Sequence, residues 1–177
     1  EPLALADLAT YVGPPLDETF KAITGGSAEP EVKALVTKFR ERYGDSGYSE
    51  NKVYPGIAEA LEALRAANTP MAVCTSKRRD FAEKILTMFG LIQHFCFIDG
   101  GEIGTHKWQQ MAVLLAQGKV SKSSIMVGDR SVDMIAAHRN GLKAAGVLWG
   151  YGSLAELSNE MPMRLFSSPG ELVDLAI

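Results

Sequence analysis

The sequence predicts an α/β protein with a parallel sheet and a small all-helical domain in front of it. From Val53 onward, short apolar runs alternate with stretches of helical periodicity, which is typical of a parallel sheet with helices on both faces. Residues 1–52 contain helix-like stretches and no convincing strand. We therefore expect a helical domain over 1–52 and an α/β core over 53–177.

The helical domain is expected to contain three helices separated by turn signals. Gly13-Pro14-Pro15 and Gly25-Gly26-Ser27 interrupt the helical pattern. The helix-like stretches between these breaks are Leu3–Tyr11, Leu16–Ile23 and Glu31–Tyr43.

The core is expected to contain strands over 71–75, 95–99, 123–127, 144–149 and 163–168. These runs are short and apolar, as strands covered on both faces are. Helices are expected over 56–67, 80–89, 106–117, 132–140 and 169–175. Gly90 and Gly141 are placed to end two of these helices.

Two aspartates follow the third of these strands. Gly128 ends the apolar run, Asp129 comes next, and Asp133 lies four residues later in the first turn of a helix. Functional sites in such sheets form at the carboxyl ends of the strands. Two converging carboxylates suit Mg²⁺, although an aspartate at a helix start also serves as a simple cap.

Two further strand ends carry candidate phosphate ligands. Thr75 and Ser76 end the first strand with hydroxyl and backbone N–H groups that can hold a phosphoryl oxygen, or that merely cap the next turn. Lys107 lies in the first turn of a helix, where the helix dipole disfavours a cation. A bound phosphoryl group would offset that cost, but a solvated lysine would also be tolerated.

Composition excludes several other classes of protein. The chain has 177 residues, 46% of them hydrophobic, and a net charge of −3 without a basic stripe. We expect neither nucleic acid nor a membrane as a partner. Cys74 and Cys96 lie in apolar runs, and we interpret them as reduced core residues of a cytoplasmic protein. No G-x-x-x-x-G-K-[ST] motif occurs, so a P-loop kinase is excluded. The sequence does not indicate an oligomeric state.

Several stretches resemble the haloacid-dehalogenase-like phosphatase superfamily, in particular its phosphoglycolate-phosphatase-like branch with a helical cap. The resemblance rests on residues 12–16 (VGPPL), residues 53–77, Lys107, and residues 127–153, which begin VGDRSVDMIAAHRNG. It implies a Rossmann-like parallel sheet core and a small all-helical cap.

The resemblance also implies a Mg²⁺-dependent phosphatase that forms an aspartyl-phosphate. Thr75 and Ser76 would bind phosphoryl oxygens, and Lys107 would stabilise the phosphoryl group and the nucleophile. Asp129 would bind Mg²⁺, and Asp133 would bind it or orient its waters.

The sequence departs from the family at the nucleophile. The family's first motif is D-x-D-G-T on a central strand, and no D-x-D occurs in this chain. We expect the core to lack its first strand, so that neighbouring strands expose unpaired backbone groups. Two hypotheses follow: the complete protein is a phosphomonoesterase whose nucleophile lies outside this chain, or the chain is an inactive phosphate-binding or regulatory protein.

The substrate is expected to be a small phosphorylated molecule selected by the cap. Phosphoglycolate is an analogy from the branch, while nucleoside monophosphates and phosphotyrosine-like esters remain open, as does a phosphomutase reaction. Cap residues that could contact the substrate, or simply form a solvated face, are Lys21, Lys38, Arg40, Arg42 and Tyr43.

Overall fold

The computed structural model describes Leu8 and residues 11–176. Its helices are α1 (Leu16–Ile23), α2 (Glu29–Asp45), α3 (Ile57–Ala66), α4 (Arg79–Met88), α5 (Lys107–Ala116), α6 (Ser131–Arg139) and α7 (Leu154–Asn159). Its strands are β1 (Val73–Thr75), β2 (Ile98–Gly100), β3 (Ile125–Gly128), β4 (Lys143–Val147) and β5 (Arg164–Phe166). Short 3-10 helices cover Gly47–Glu50, Ile92–His94 and Pro169–Leu175.

Most of the expected elements are present, several with ends shifted by one or two residues, and the 3-10 helices at Gly47–Glu50 and Ile92–His94 were not predicted. Three other differences stand out. Strand β2 begins at Ile98 and not at residue 95, helix α7 was not predicted, and the last segment is a 3-10 helix. The helix expected over residues 3–11 falls almost wholly outside the described residues. Helix α1 has the expected bounds.

All strand pairs are parallel, and they form two separate sheets. Strand β1 pairs with β2, with Thr75 opposite Gly100, while β3, β4 and β5 form the other sheet in that order. No ladder of hydrogen bonds joins β1 to β3 in the described part of the chain. Thr75 is the last residue of β1 and Gly128 is the last residue of β3, so these two residues mark the carboxyl ends of the strands.

The core lies on both faces of the larger sheet. In β4, Ala144 packs with residues of α5, α6 and α7, whereas Ala145 packs with α3 and the C-terminal 3-10 helix. Successive side chains of a strand point to opposite faces, so these two clusters cover opposite sides of the sheet. The α/β class with helices on both faces is thereby confirmed.

An aromatic row joins helices α1 and α2 to the core. Phe20 contacts Phe39 (centroids 6.1 Å apart), Phe39 stacks on Tyr43 (5.6 Å), and Tyr43 meets Phe81 of α4 edge-on (5.2 Å). Lys77 Nζ donates to the Tyr43 hydroxyl at 2.5 Å and lies 4.2 Å from its ring centroid. The turn after β1 is therefore tied directly to α2.

The two cysteines are free thiols in different surroundings. Cys74 in β1 is half-buried, and burial raises the pKa of its thiol to about 11. Cys96 is exposed, so the expectation that both cysteines lie in the core is wrong for Cys96, which precedes the paired part of β2. No helix in the described residues combines the length and apolar character needed to cross a membrane.

Candidate active site

The end of β3 and the start of α6 carry both aspartates singled out in the sequence. Asp129 follows the last residue of β3, and Asp133 lies in the first turn of α6. Asp129 Oδ2 accepts a hydrogen bond from the Tyr151 backbone N–H at 2.8 Å. No donor to Asp129 Oδ1 is recorded among the described residues, so this oxygen remains available to a cation.

Asp133 is buried and bound on both of its oxygens. Its side chain is 5% exposed. Oδ1 accepts from Lys107 Nζ at 2.5 Å, and Oδ2 accepts from the Arg130 backbone N–H at 3.0 Å. Lys107 and Asp133, both predicted from the sequence as site residues, therefore form a close ion pair that is largely buried.

Glycines allow these carboxylates to approach the backbone. A Cβ at Gly128 would overlap the Asp133 carboxyl group, and one at Gly150 would overlap the side chain of Asp129. A Cβ at Gly152 would likewise overlap the Asp129 carbonyl oxygen. The loop at 150–152 thus encloses Asp129.

The turn after β1 places Thr75 and Ser76 differently. Ser76 lines a cavity together with Lys107. Thr75 Oγ1 accepts the Lys77 backbone N–H at 3.1 Å, and the Thr75 carbonyl accepts from Gln110 Nε2 at 3.3 Å. Its recorded contacts hold the turn in shape and do not reach Lys107 or the aspartates.

Several residues at the site were not identified from the sequence. Glu156 Oε1 accepts from Arg130 Nε at 2.9 Å and from the Ser131 backbone N–H at 2.8 Å. Arg130 also donates to the Val12 carbonyl, which connects the segment before α1 to the site. Burial opposes ionisation of Glu156, but the hydrogen bonds from Ser131 and Arg130 outweigh it and lower the pKa of Glu156. Spacing gave no signal for these contacts, because the partners are more than 20 residues apart in sequence.

A tyrosine that the sequence did not single out lies beside Asp129. Burial, and then the neighbouring Tyr151 and Asp129, raise the pKa of Tyr54. Both tyrosines are largely exposed, so they flank the site at its rim.

The cavity beside the ion pair has a volume of about 320 Å³, which is within the range of small-molecule pockets. Its lining comes from the segment before α1, the turn after β1, and helices α5 and α6: Gly13, Pro14, Pro15, Ser76, His106, Lys107, Trp108, Val132, Ile135 and Arg139. None of the five cap residues considered from the sequence lines it. Arg42 instead pairs with Glu50, and Tyr43 binds Lys77.

The donor set suits magnesium in part. Mg²⁺ takes one or two carboxylates and completes its shell with water and phosphate oxygens. Asp129 offers an available carboxylate oxygen, whereas both oxygens of Asp133 are engaged by Lys107 and Arg130. No cluster of three or more His, Cys, Asp or Glu that could hold a metal occurs within the described residues. Asp129 would bind the ion directly. Asp133 would influence the ion only indirectly, through the neighbouring groups that it holds.

Comparison with known proteins identifies one family. The family model described as haloacid dehalogenase-like hydrolase matches residues 1–147. A 5'-nucleotidase from Pseudomonas aeruginosa is 38% identical over 162 residues, covering 89% of this chain and 73% of that protein. A phosphoglycolate phosphatase from Aquifex aeolicus is 34% identical over 171 residues, covering 90% and 79%.

Two further matches extend this result. The tyrosine-protein kinase PtkA from Mycobacterium tuberculosis is 39% identical over 156 residues, which cover 85% of this chain but only 53% of the kinase. The crystal structure of a predicted phosphatase from Clostridium acetobutylicum superposes with a TM-score of 0.91 at 30% identity, covering 99% of this chain and 82% of that one.

Proposed function

The chain belongs to the haloacid dehalogenase-like hydrolase family, and from this membership we propose that it forms most of a Mg²⁺-dependent phosphomonoesterase acting on a small phosphorylated metabolite. The observation that carries the proposal is the 2.5 Å pair between Lys107 and buried Asp133, next to Asp129 and open to a cavity lined by Ser76. A cation, a carboxylate with an available oxygen and a hydroxyl are the groups needed to hold a phosphoryl group in place.

Each residue has a separate role in this proposal. Lys107 places its ammonium group against the phosphoryl oxygens while Asp133 fixes its direction. Ser76 and the backbone of the turn after Thr75 donate hydrogen bonds to the same oxygens. Asp129 holds Mg²⁺, which when bound neutralises phosphoryl charge.

We propose that the nucleophile comes from a segment outside this chain. The sequence contains no D-x-D motif. The separation of β1–β2 from β3–β4–β5 supports a further strand between β1 and β3, since packing brings these sheets together without a ladder. Met71 and Cys74, near and in β1, pack against the two core clusters of the larger sheet. A strand in that interval would end beside Thr75 and Asp129, where an attacking carboxylate is needed.

The substrate within this class follows from analogy alone. The relatives named 5'-nucleotidase and phosphoglycolate phosphatase both act on phosphomonoesters, which supports a phosphatase of this general type. We place the protein in the cytoplasm, where its unpaired thiols would stay reduced. Because the chain contains no D-x-D motif, we keep a second candidate function, that of a phosphate-binding regulatory protein without turnover.

The test uses a longer form of the protein that includes the segment preceding this chain. We expect it to hydrolyse p-nitrophenyl phosphate only when Mg²⁺ is present, and Asp129→Asn to lose at least about 100-fold in kcat/KM. Asp174→Asn is the matched control, because Asp174 pairs with Arg164 on the surface.

The outcomes separate the two candidates. Full activity of the Asp129→Asn variant, or turnover unaffected by chelation of Mg²⁺, would contradict the proposed phosphatase. No turnover by the longer form, together with retained binding of inorganic phosphate, would favour the regulatory protein.

A further inference from the structure

The cavity next to the catalytic residues extends along one face of helix α6. Val132, Ile135 and Arg139 are spaced i, i+3 and i+7, so their side chains share that face, and all three line the cavity. Ser76 and Lys107 line the same cavity. It is therefore a groove with phosphate ligands at one end and an arginine six residues beyond Asp133, about 9 Å along the helix axis.

An aromatic ring holds Arg139 in place. Its guanidinium carbon lies 5.2 Å from the ring centroid of Trp108, a cation–π arrangement. Asn140 Nδ2 donates to the Trp108 carbonyl at 2.8 Å and fixes the end of α6 against the start of α5. Among the described residues no carboxylate forms a salt bridge with Arg139, although eight of the other arginine and lysine side chains do form one.

The other ionisable groups of the groove are already paired. Lys107 is bound to Asp133, and His106 Nε2 lies 3.3 Å from Glu18 Oε1 of α1. Within residues 11–176, no aspartate or glutamate lines the groove. Among the described residues, the charge of the groove that is left for a ligand is the positive charge of Arg139.

We propose that Arg139 is a specificity-determining residue that binds a second anionic group on the leaving group of the substrate. The inference rests on the proposed phosphatase function and names its substrate class, a phosphomonoester that carries a carboxylate or a second phosphate several atoms from the scissile phosphoryl group. Val132, Ile135 and the Pro14-Pro15 wall contact the carbon atoms between the two charges. A guanidinium fork binds either kind of anion through paired N–H groups.

The experiment compares three esters in the longer form of the protein. They are p-nitrophenyl phosphate, which has no second charge, 3-phosphoglycerate, which has a carboxylate, and fructose 1,6-bisphosphate, which has a second phosphate. We expect Arg139→Gln to raise KM about tenfold or more for whichever anionic ester is preferred, with little change in kcat. We expect less than about a twofold change for p-nitrophenyl phosphate.

Two variants make the result specific. Arg139→Lys keeps the charge without the fork and should recover part of the lost affinity. Arg65→Gln removes an arginine of α3 that pairs with Glu62 and does not line the groove, and it should leave the preference among esters unchanged.

The outcomes distinguish this inference from the function on which it rests. An unchanged ratio of kcat/KM values in Arg139→Gln, or a loss of preference in Arg65→Gln, overturns the role of Arg139 while the phosphatase remains. Failure of the longer form to hydrolyse any of the three esters overturns both.

Discussion

Asp129 and Asp133 lie four residues apart but are held by different kinds of partner. Asp133 neutralises a lysine in a buried position, so removing either member would leave an uncompensated charge. Asp129 receives one backbone hydrogen bond and keeps an oxygen available. The spacing of the two residues predicts that they converge, but it contains no information about the partners that hold each of them.

Glu156 allows a prediction about stability and pH. Its carboxylate caps the first turn of α6 through Ser131 and binds Arg130, and its pKa lies below the ordinary value of 4.5. A lowered pKa stabilises the fold above the ordinary value, and this contribution is lost as the pH falls through the folded-state pKa. We expect Glu156→Gln to lower the free energy of unfolding by about 1–2 kcal/mol at pH 7 and by progressively less below pH 4.5. Urea denaturation across this pH range measures the difference.

Glu160→Gln provides the control for that measurement, since Glu160 follows α7 and has no recorded side-chain hydrogen bond. A difference between wild type and Glu156→Gln that persists unchanged at low pH would show that the carboxylate charge is not what stabilises the turn.

The candidate site residues that the sequence predicts are those whose signal is local. Gly128, Asp129 and Asp133 form one short motif at a strand end, and Lys107 was conspicuous because of its unfavourable place on a helix. Arg130 and Glu156 could not be found in this way, because each looks like an ordinary surface charge until folding brings them within 2.9 Å.

At the scale of elements, the contact between α2 and the turn after β1 is the one with functional consequences. Lys77 and Asn51 both donate to the Tyr43 hydroxyl, at 2.5 and 3.1 Å. Lys77 is the second residue after Thr75, so a displacement of α2 would act directly on the turn proposed to bind phosphate.

Tyr43→Phe tests this contact, since it keeps the aromatic row and removes the acceptor. We expect a loss of about 1–2 kcal/mol in unfolding free energy and faster amide exchange in the turn at 75–78, because Lys77 loses its partner. Amide hydrogen exchange measured by mass spectrometry follows both helix α2 and the turn at 75–78.

The matched control is Tyr48→Phe. Lys84 Nζ lies 3.5 Å from the ring centroid of Tyr48, and no hydrogen bond of the Tyr48 hydroxyl is recorded, so this variant should have little effect. Equal exchange in the turn at 75–78 for wild type and Tyr43→Phe would contradict the proposed link.

The elements that sequence reasoning placed wrongly have identifiable causes. The apolar run at 95–99 predicted a strand from its first residue, but parallel pairing with β1 begins only at Ile98. Helix α7 has six residues, too few for a periodic apolar face. The sequence does contain a capping signal for this helix, namely Ser153 followed three residues later by Glu156. In the structure, Ser153 Oγ accepts a hydrogen bond from the Glu156 backbone N–H at 3.1 Å.

At the scale of the whole molecule, the two core clusters hold together a sheet that is divided in two. The alternation of strands and helices was sufficient to predict parallel strands with helices on both sides, because each strand must be covered on both faces. The division could not be derived from periodicity, which contains no information about strand order. It followed only from the resemblance to a family whose first strand is central.

Hydrogen exchange can test whether a strand enters between β1 and β3. Val73 N–H bonds to the Phe97 carbonyl at 3.1 Å on the β2 side, so the Cys74 N–H points away from β2. In the longer form of the protein we expect the Cys74 amide to exchange at least about tenfold more slowly than in this chain alone. Amides between β4 and β5 are already paired and serve as the internal control. Unchanged exchange at Cys74 would rule out pairing of an added strand with β1.

If a strand from outside this chain completes the divided sheet, that strand need not be covalently continuous with the chain. If the interval between β1 and β3 accepts a strand through backbone hydrogen bonds, a free peptide of the right register could fill it as well as a tethered segment. Catalytic competence would then depend on the concentration of that peptide, and the fold could serve as a two-component reporter that is silent until its missing piece arrives.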